Sequence, residues 1–119
     1  MHELSVCQGM LTQVEAIALQ HQARGVSSIT IRIGPLSGVE PDLLQHAFPV
    51  ARAGTIAAEA NLIIERLTIR VHCEHCGAET DATPNRLLCG ACGDWHTRLI
   101  SGDELILASV ELVKDGVEA

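Results

Sequence analysis

Two short cysteine motifs, Cys73-Glu74-His75-Cys76 and Cys89-Gly90-Ala91-Cys92, separated by the twelve residues Gly77–Leu88, constrain this chain more than any other feature. A Cys-x-x-Cys loop lets two thiolates meet one ion, and a second loop completes the four-coordinate sulfur shell that Zn²⁺ favours. Gly77 and Gly93 follow the second cysteine of each pair, where a tight knuckle turn calls for positive φ. The connecting segment is a little shorter than the usual ~15–20 residues, which still permits closure. A redox Cys-x-x-Cys would instead need one pair at a helix N-terminus after a strand. The spacing therefore predicts a Cys₄ zinc site at Cys73, Cys76, Cys89 and Cys92, closed and hence structural.

The 119-residue chain is apolar enough for a core, at 47% hydrophobic, but Phe48 and Trp95 are the only aromatic residues, so packing must rely on Leu, Ile, Val and Ala. A net charge of −7 argues against nucleic acid, since a zinc ribbon that grips phosphates needs a basic face. No apolar run approaches the ~20 residues of a membrane span, and the start of the chain lacks a basic segment followed by a hydrophobic one. Paired thiolates without an export signal predict a reducing, cytoplasmic setting.

Along the chain, Leu4, Cys7, Leu11, Val14 and Ala18 recur at helical spacing, with Met10 and Ile17 widening the stripe. This predicts a first helix to about Arg24, ended by Gly25. Val26–Ile33 alternates as a half-buried strand, with Ile29, Ile31 and Ile33 on one face and Ser28, Thr30 and Arg32 on the other. After the Gly34-Pro35 break, Pro41 suits the first position of a second helix whose inner side carries Leu43, Leu44, Ala47, Phe48 and Ala51. Pro49 should kink it or end its regular part early. A second strand is expected from about Ala60 to Val71, with a bulge or strong twist where the alternation changes phase at Ile63 and Ile64. Residues 72 to about 100 are too poor in apolar side chains to fold without their ion. Glu104–Lys114 reads as a last strand with Ile106, Ala108, Val110 and Leu112 inward, and Asp115–Ala119 as a frayed end. The expected fold is α+β: a three-stranded antiparallel sheet with two helices, formed by 1–70 and 104–119, plus a small inserted zinc-ribbon-like domain at 71–103.

The remaining chemistry lies at the start of the chain. Because His2 is bulky, Met1 should be retained, which fixes Met1-His2-Glu3 relative to the terminal amine. That amine or the adjacent main-chain nitrogens, the His2 imidazole and the Glu3 carboxylate can converge on one ion. Ni²⁺ and Cu²⁺ accept such nitrogen-rich sets far more readily than Zn²⁺. A histidine at position 2 is also compatible with an incidental surface residue, and the positive end of a helix disfavours a cation unless a carboxylate offsets it.

The segments Met1-His2-Glu3-Leu4-Ser5-Val6 and Ile33-Gly34-Pro35-Leu36-Ser37-Gly38-Val39-Glu40 and the two cysteine pairs, in this order, resemble the HypA/HybF family of nickel metallochaperones over nearly the whole chain. The resemblance implies a non-enzymatic carrier that delivers Ni(II), its transient cargo, to the [NiFe]-hydrogenase large-subunit precursor, working with the GTPase HypB. It also implies Zn(II) as structural metal at the four cysteines. By this resemblance the main-chain nitrogens at the terminus and the His2 side chain ligate nickel, with Glu3 a further ligand. Glu40 stands at an acidic position that reaches nickel in some members; its alternative role is to stabilise the start of the second helix. Many members carry proline within the second cysteine pair, where this chain has Gly90-Ala91. The oligomeric state implied is a monomer or weak homodimer.

Other polar residues have plainer readings. Cys7 falls on the buried helix face as a small core residue. His21 and His46 fall near helix ends. His72, His75 and His96 lie close enough to the zinc cysteines to exchange with a thiolate or hydrogen-bond to one, and Trp95 should cover the knuckles. The alternative to nickel transfer is a zinc-ribbon adaptor that binds proteins only.

Overall fold

The computed structural model describes residues 2–114, which form helix α1 (His2–Gln20), strand β1 (Gly25–Ile33), helix α2 (Pro41–Arg52) and strands β2 (Asn61–Arg66), β3 (Ile69–Cys73), β4 (Glu79–Ala82), β5 (Thr97–Ser101) and β6 (Leu105–Val113). The strands make two three-stranded sheets, ordered β2-β1-β6 and β4-β3-β5. The α+β architecture with a two-helix, three-stranded antiparallel portion is as expected. The second sheet is not foreseen in the sequence, nor is the division of the expected Ala60–Val71 strand into β2 and β3. The division falls at Leu67 and Thr68, beyond Ile63 and Ile64, which both lie inside β2. Leu67, between the two strands, donates its N–H to the Ile33 carbonyl at 2.8 Å, and β3 then pairs with a different sheet.

The described chain divides into two compact units. One comprises the residues up to Ile31, Glu40–Glu65 and the chain from Leu107 on; the other comprises Arg32–Val39 and Arg66–Ile106. The expected frayed end at Asp115–Ala119 lies outside the described residues.

In the first unit, α1 buries Cys7, Met10, Leu11, Val14 and Ala18. The helix begins two residues before Leu4 because Glu3 continues the buried stripe, four residues ahead of Cys7. It ends before Gly25. Gln22 takes the left-handed turn at φ 56°, and the Ala23 N–H reaches back to the Ala18 carbonyl at 2.9 Å, closing a Schellman motif without glycine. Helix α2 packs against α1: Leu44 and Phe48 are its buried residues, and the Cys7 thiol donates to the Leu44 carbonyl at 3.7 Å. Leu43, expected inside, is 53% exposed. The helix runs through Pro49 to Arg52, so the early end does not occur; the proline withdraws only the donor that would have met the Gln45 carbonyl. The Arg52 guanidinium secures the far end by donating to the Ala60 carbonyl at 2.7 Å. Ser28 is buried rather than outward, its hydroxyl donating to Glu111 Oε1 at 2.8 Å and tying β1 to β6. Of the residues expected inward on the last strand, Ala108, Val110 and Leu112 are half-buried and Ile106 is exposed.

In the second unit the core is small: Ile33, Val39, Ile69 and Val71, with Cys73 and Cys89. Strand β3 is central, antiparallel to β4 (Val71 opposite Thr80) and to β5 (Cys73 opposite Thr97). The Gly34-Pro35 turn crosses the Gly102–Glu104 backbone so closely that a Cβ at Gly34 would overlap the Gly102 carbonyl and lie 2.9 Å from the Asp103 nitrogen. Two main-chain bonds seal the crossing: the Gly34 N–H to the Glu104 carbonyl at 2.9 Å and the Leu36 N–H to the Gly102 carbonyl at 2.7 Å.

Candidate metal centre

Each cysteine pair sits in a knuckle built to one pattern. In the first, the Gly77 N–H returns to the Cys73 carbonyl at 3.0 Å, and the His75 and Cys76 amides both point at Cys73 Sγ at 3.3 Å. In the second, the Gly93 N–H returns to the Cys89 carbonyl at 2.9 Å, and the Ala91 and Cys92 amides point at Cys89 Sγ at 3.3 and 3.4 Å. Gly77 and Gly93 both have φ 79°, the left-handed geometry expected of them. The leading cysteine of each pair is buried and the trailing one exposed.

The knuckles face each other. Cys73 and Cys92 sulfurs are 3.6 Å apart, as are those of Cys76 and Cys89, and all four ligand atoms lie within 4.8 Å of one another. A sulfur tetrahedron around an ion with metal–sulfur bonds of ~2.3 Å has edges of about 3.8 Å, so the observed set fits one ion with no open position. The electrostatics also call for a cation. The Cys92 amide, then the Ala91 amide and the neighbouring thiols, pull the Cys89 thiol down to about 6. The Asp94 amide favours the Cys92 thiolate, yet burial and the three other sulfurs outweigh it and push Cys92 up to about 12. Four sulfurs so close cannot all ionise by themselves; a divalent ion removes that conflict.

Gly90 anchors the second pair to β4. Its N–H donates to Thr80 Oγ1 at 2.8 Å, and a Cβ there would stand 3.1 Å from the Thr80 Cβ, so proline at this position would forfeit the bond. The neighbouring histidines face carboxylates rather than sulfurs. Asp94 Oδ1 is hydrogen-bonded to His96 Nδ1 at 2.9 Å, while His75 Nδ1 lies 3.8 Å from Asp94 Oδ2 and His72 Nδ1 lies 3.8 Å from Glu79 Oε2. The hydrogen bond from His96 is the main cause holding the Asp94 carboxyl below its usual range. Asp94 is thus the organising side chain that sequence reasoning missed, although its position directly after the Gly93 turn was a usable signal. Trp95 does not cover the knuckles: it is 70% exposed and stacks on His96 at 3.7 Å.

At the other end of the chain, Met1 lies outside the described residues. His2 opens α1 with an exposed imidazole, and Glu3, next to it, is only 6% exposed. Glu3 Oε2 accepts the Glu40 N–H at 3.2 Å and lies 3.6 Å from His2 Nε2. Glu40 is the N-cap residue of α2; its side chain is exposed and makes no capping bond. The Glu3 carboxylate thus meets the positive ends of two helices, its own and α2. The Glu40 amide is the main cause of its lowered pKa, reinforced by its own amide and by His2. His2 and Glu3 lie beside the Glu40 main chain, but among the described residues only the four cysteines form a group of three or more such side chains with converging ligand atoms. No described helix is long and apolar enough to cross a membrane.

The chain matches a family model described as hydrogenase/urease nickel incorporation, metallochaperone, hypA, over residues 1–112. A hydrogenase maturation factor HypA from Nitrosospira multiformis is 51% identical over 113 residues, covering 95% of this chain and 98% of the relative. One from Aquifex aeolicus is 41% identical, covering 97% and 100%. Among solved structures, the nickel metallochaperone HypA from Helicobacter pylori superposes with a TM-score of 0.67 at 23% identity, covering 95% of this chain and 98% of that one. A second HypA solution structure gives 0.71 at 24%, covering 97% and 98%. At such identities the structural likeness speaks for the fold.

Proposed function

This chain belongs to the HypA family of nickel-incorporation metallochaperones, and on that premise we propose that it is a non-enzymatic carrier of Ni(II) to the [NiFe]-hydrogenase large-subunit precursor, acting in the cytoplasm with the GTPase HypB. The observation that carries this reading is the closed four-sulfur cluster, which leaves no open position for a cargo ion. The four cysteines supply a complete sulfur shell that suits structural Zn(II), which resists ligand loss, and they staple the unit that holds them. Cargo must be taken up and released, which favours a site with few protein ligands at an accessible terminus. His2 is exposed there, beside Glu3 and close to Glu40. In this reading Met1 contributes its main-chain nitrogen, His2 its imidazole and main-chain nitrogen, and Glu3 and Glu40 complete the nickel site. Nitrogen-rich sets of this kind select Ni²⁺ over Zn²⁺, whereas the sulfur set suits Zn²⁺.

A zinc-ribbon adaptor is the second reading, and one feature favours it: Trp95, Leu99 and Ile100 of the metal-holding unit are exposed apolar side chains. The two readings separate on one experiment. Extending the N-terminus by two residues should abolish tight Ni²⁺ binding while zinc content stays at one ion per chain. Undiminished nickel affinity in the extended protein would leave the adaptor as the better account.

A further inference from the structure

Glu3 is an unusual residue for the first turn of a surface helix. Its carboxylate is almost fully buried, and one oxygen, Oε2, serves two elements at once: it accepts the Glu40 N–H at 3.2 Å and stands 3.6 Å from His2 Nε2. Which ring nitrogen it faces is the informative point. A histidine that chelates a metal together with its own main-chain nitrogen does so through Nδ1, because only Nδ1 closes a small chelate ring with that amide; Nε2 points away. The nitrogen that Glu3 faces is therefore the one that chelation leaves over. A carboxylate opposite the unused N–H of a metal-binding imidazole fixes the tautomer and ring orientation and raises the basicity of the coordinating nitrogen.

We propose that Glu3 is a positioning residue of the nickel site: its carboxylate stays outside the coordination sphere, holds His2 as the Nε2–H tautomer with the Nδ1 lone pair free for Ni²⁺, and ties that imidazole to Glu40 at the start of α2. This rests on the nickel-carrier reading above and refines it, since Glu3 then contributes to the site through His2 and not as a carboxylate donor. Its burial explains how the role is met without extra ligands. The Glu40 amide anchors the carboxylate from the α2 side, so the His2 ring is held against a fixed group even though the ring itself is 58% exposed.

The test uses the untagged, zinc-loaded full chain. Long-range ¹⁵N–¹H correlation spectra of the nickel-free protein, recorded with neutral imidazoles, should show His2 as the Nε2–H tautomer. A dominant Nδ1–H tautomer overturns the proposal without need of any variant. Glu3→Gln keeps an oxygen for the Glu40 amide but removes the charge. It should retain zinc and the slow exchange of the Glu40 amide, weaken the Nε2–H preference, and lower nickel affinity about 10–100-fold with the ligand-field band unmoved. Nickel affinity within about twofold of the wild type, or a shifted band that reports a lost carboxylate donor, contradicts it. His2→Ala separates the nickel site from the role of Glu3 within it. If that variant binds nickel like the wild type, the N-terminal site itself is wrong; if it loses nickel while Glu3→Gln does not, only the role given to Glu3 falls.

Discussion

Replacing Gly34 by alanine should be among the most damaging single-methyl additions this chain can suffer. The added Cβ would overlap the Gly102 carbonyl and approach the Asp103 nitrogen to 2.9 Å, and both obstacles are backbone, which cannot rotate aside. The two segments must separate, which breaks or stretches the Gly34 to Glu104 bond at 2.9 Å and the Leu36 to Gly102 bond at 2.7 Å. Two main-chain bonds at about 1 kcal/mol each, plus about 1–3 kcal/mol for overpacking, give a loss of roughly 3–6 kcal/mol, allowing for partly unsatisfied carbonyls. Domains of this size hold only about 5–15 kcal/mol in total. Thermal unfolding of the zinc-loaded protein, followed by circular dichroism, should show a fall of about 10–25 °C. The internal control is Gly9→Ala, where nothing lies within 4 Å of the new Cβ on an exposed stretch of α1. That change should stabilise by about 0.8–1 kcal/mol through helix propensity. A Gly34→Ala protein that melts within a few degrees of the parent would refute the close crossing.

Stripping the metal with a strong chelator should erase amide protection in β3, β4 and β5 while the helical signal of α1 and α2 persists, because the second unit has few buried aliphatic residues to hold it; unchanged protection would speak against a structural ion. The Glu3 carboxyl titrates below its ordinary value of 4.5 in the folded state, so its stabilising contribution is present above that value and is lost as the pH falls through the folded pKa. The melting-temperature advantage of the wild type over Glu3→Gln should therefore shrink on acidification below about pH 4.5, and an advantage that grows there would be the wrong sign. Cys7, pushed up to about 11 by burial, should resist alkylation at pH 8 in the native protein and react on unfolding; rapid native labelling would place it at the surface.

The knuckle geometry was open to reading because Cys-x-x-Cys-Gly is a local pattern: the turn, the positive φ of Gly77 and Gly93 and the inward sulfurs all follow from adjacent residues. The apolar stripe of α1 and the alternation of β1 were open to it for the same reason. What escaped depends on residues far apart in the chain. Gly34 looked like a simple strand breaker, yet its glycine is required by Gly102, a long-range approach that no local pattern encodes. The burial of Glu3 and Ser28 depends on partners, Glu40 and Glu111, that lie far along the chain, which no local polar pattern encodes. The second sheet was hidden because β4 and β5 are short, half-exposed and nearly without apolar alternation, so their order derives from pairing with β3 and from the sulfur cluster. Pro49 lacks a donor and crowds the Gln45 carbonyl, yet the helix continues past it because Phe48 on the inner face and the Arg52 bond to Ala60 hold the last turn in place.

The central claim is that the working metal sits at the start of the chain and the cysteines hold a different one. The most direct measurement is a nickel titration, against a competing chelator, of the untagged zinc-loaded protein and its His2→Ala variant, with zinc quantified in the same samples. The account predicts that His2→Ala loses the tight nickel site and keeps its full zinc content. Equal nickel affinity in the two proteins, or nickel uptake matched by zinc release from Cys73, Cys76, Cys89 and Cys92, would contradict it.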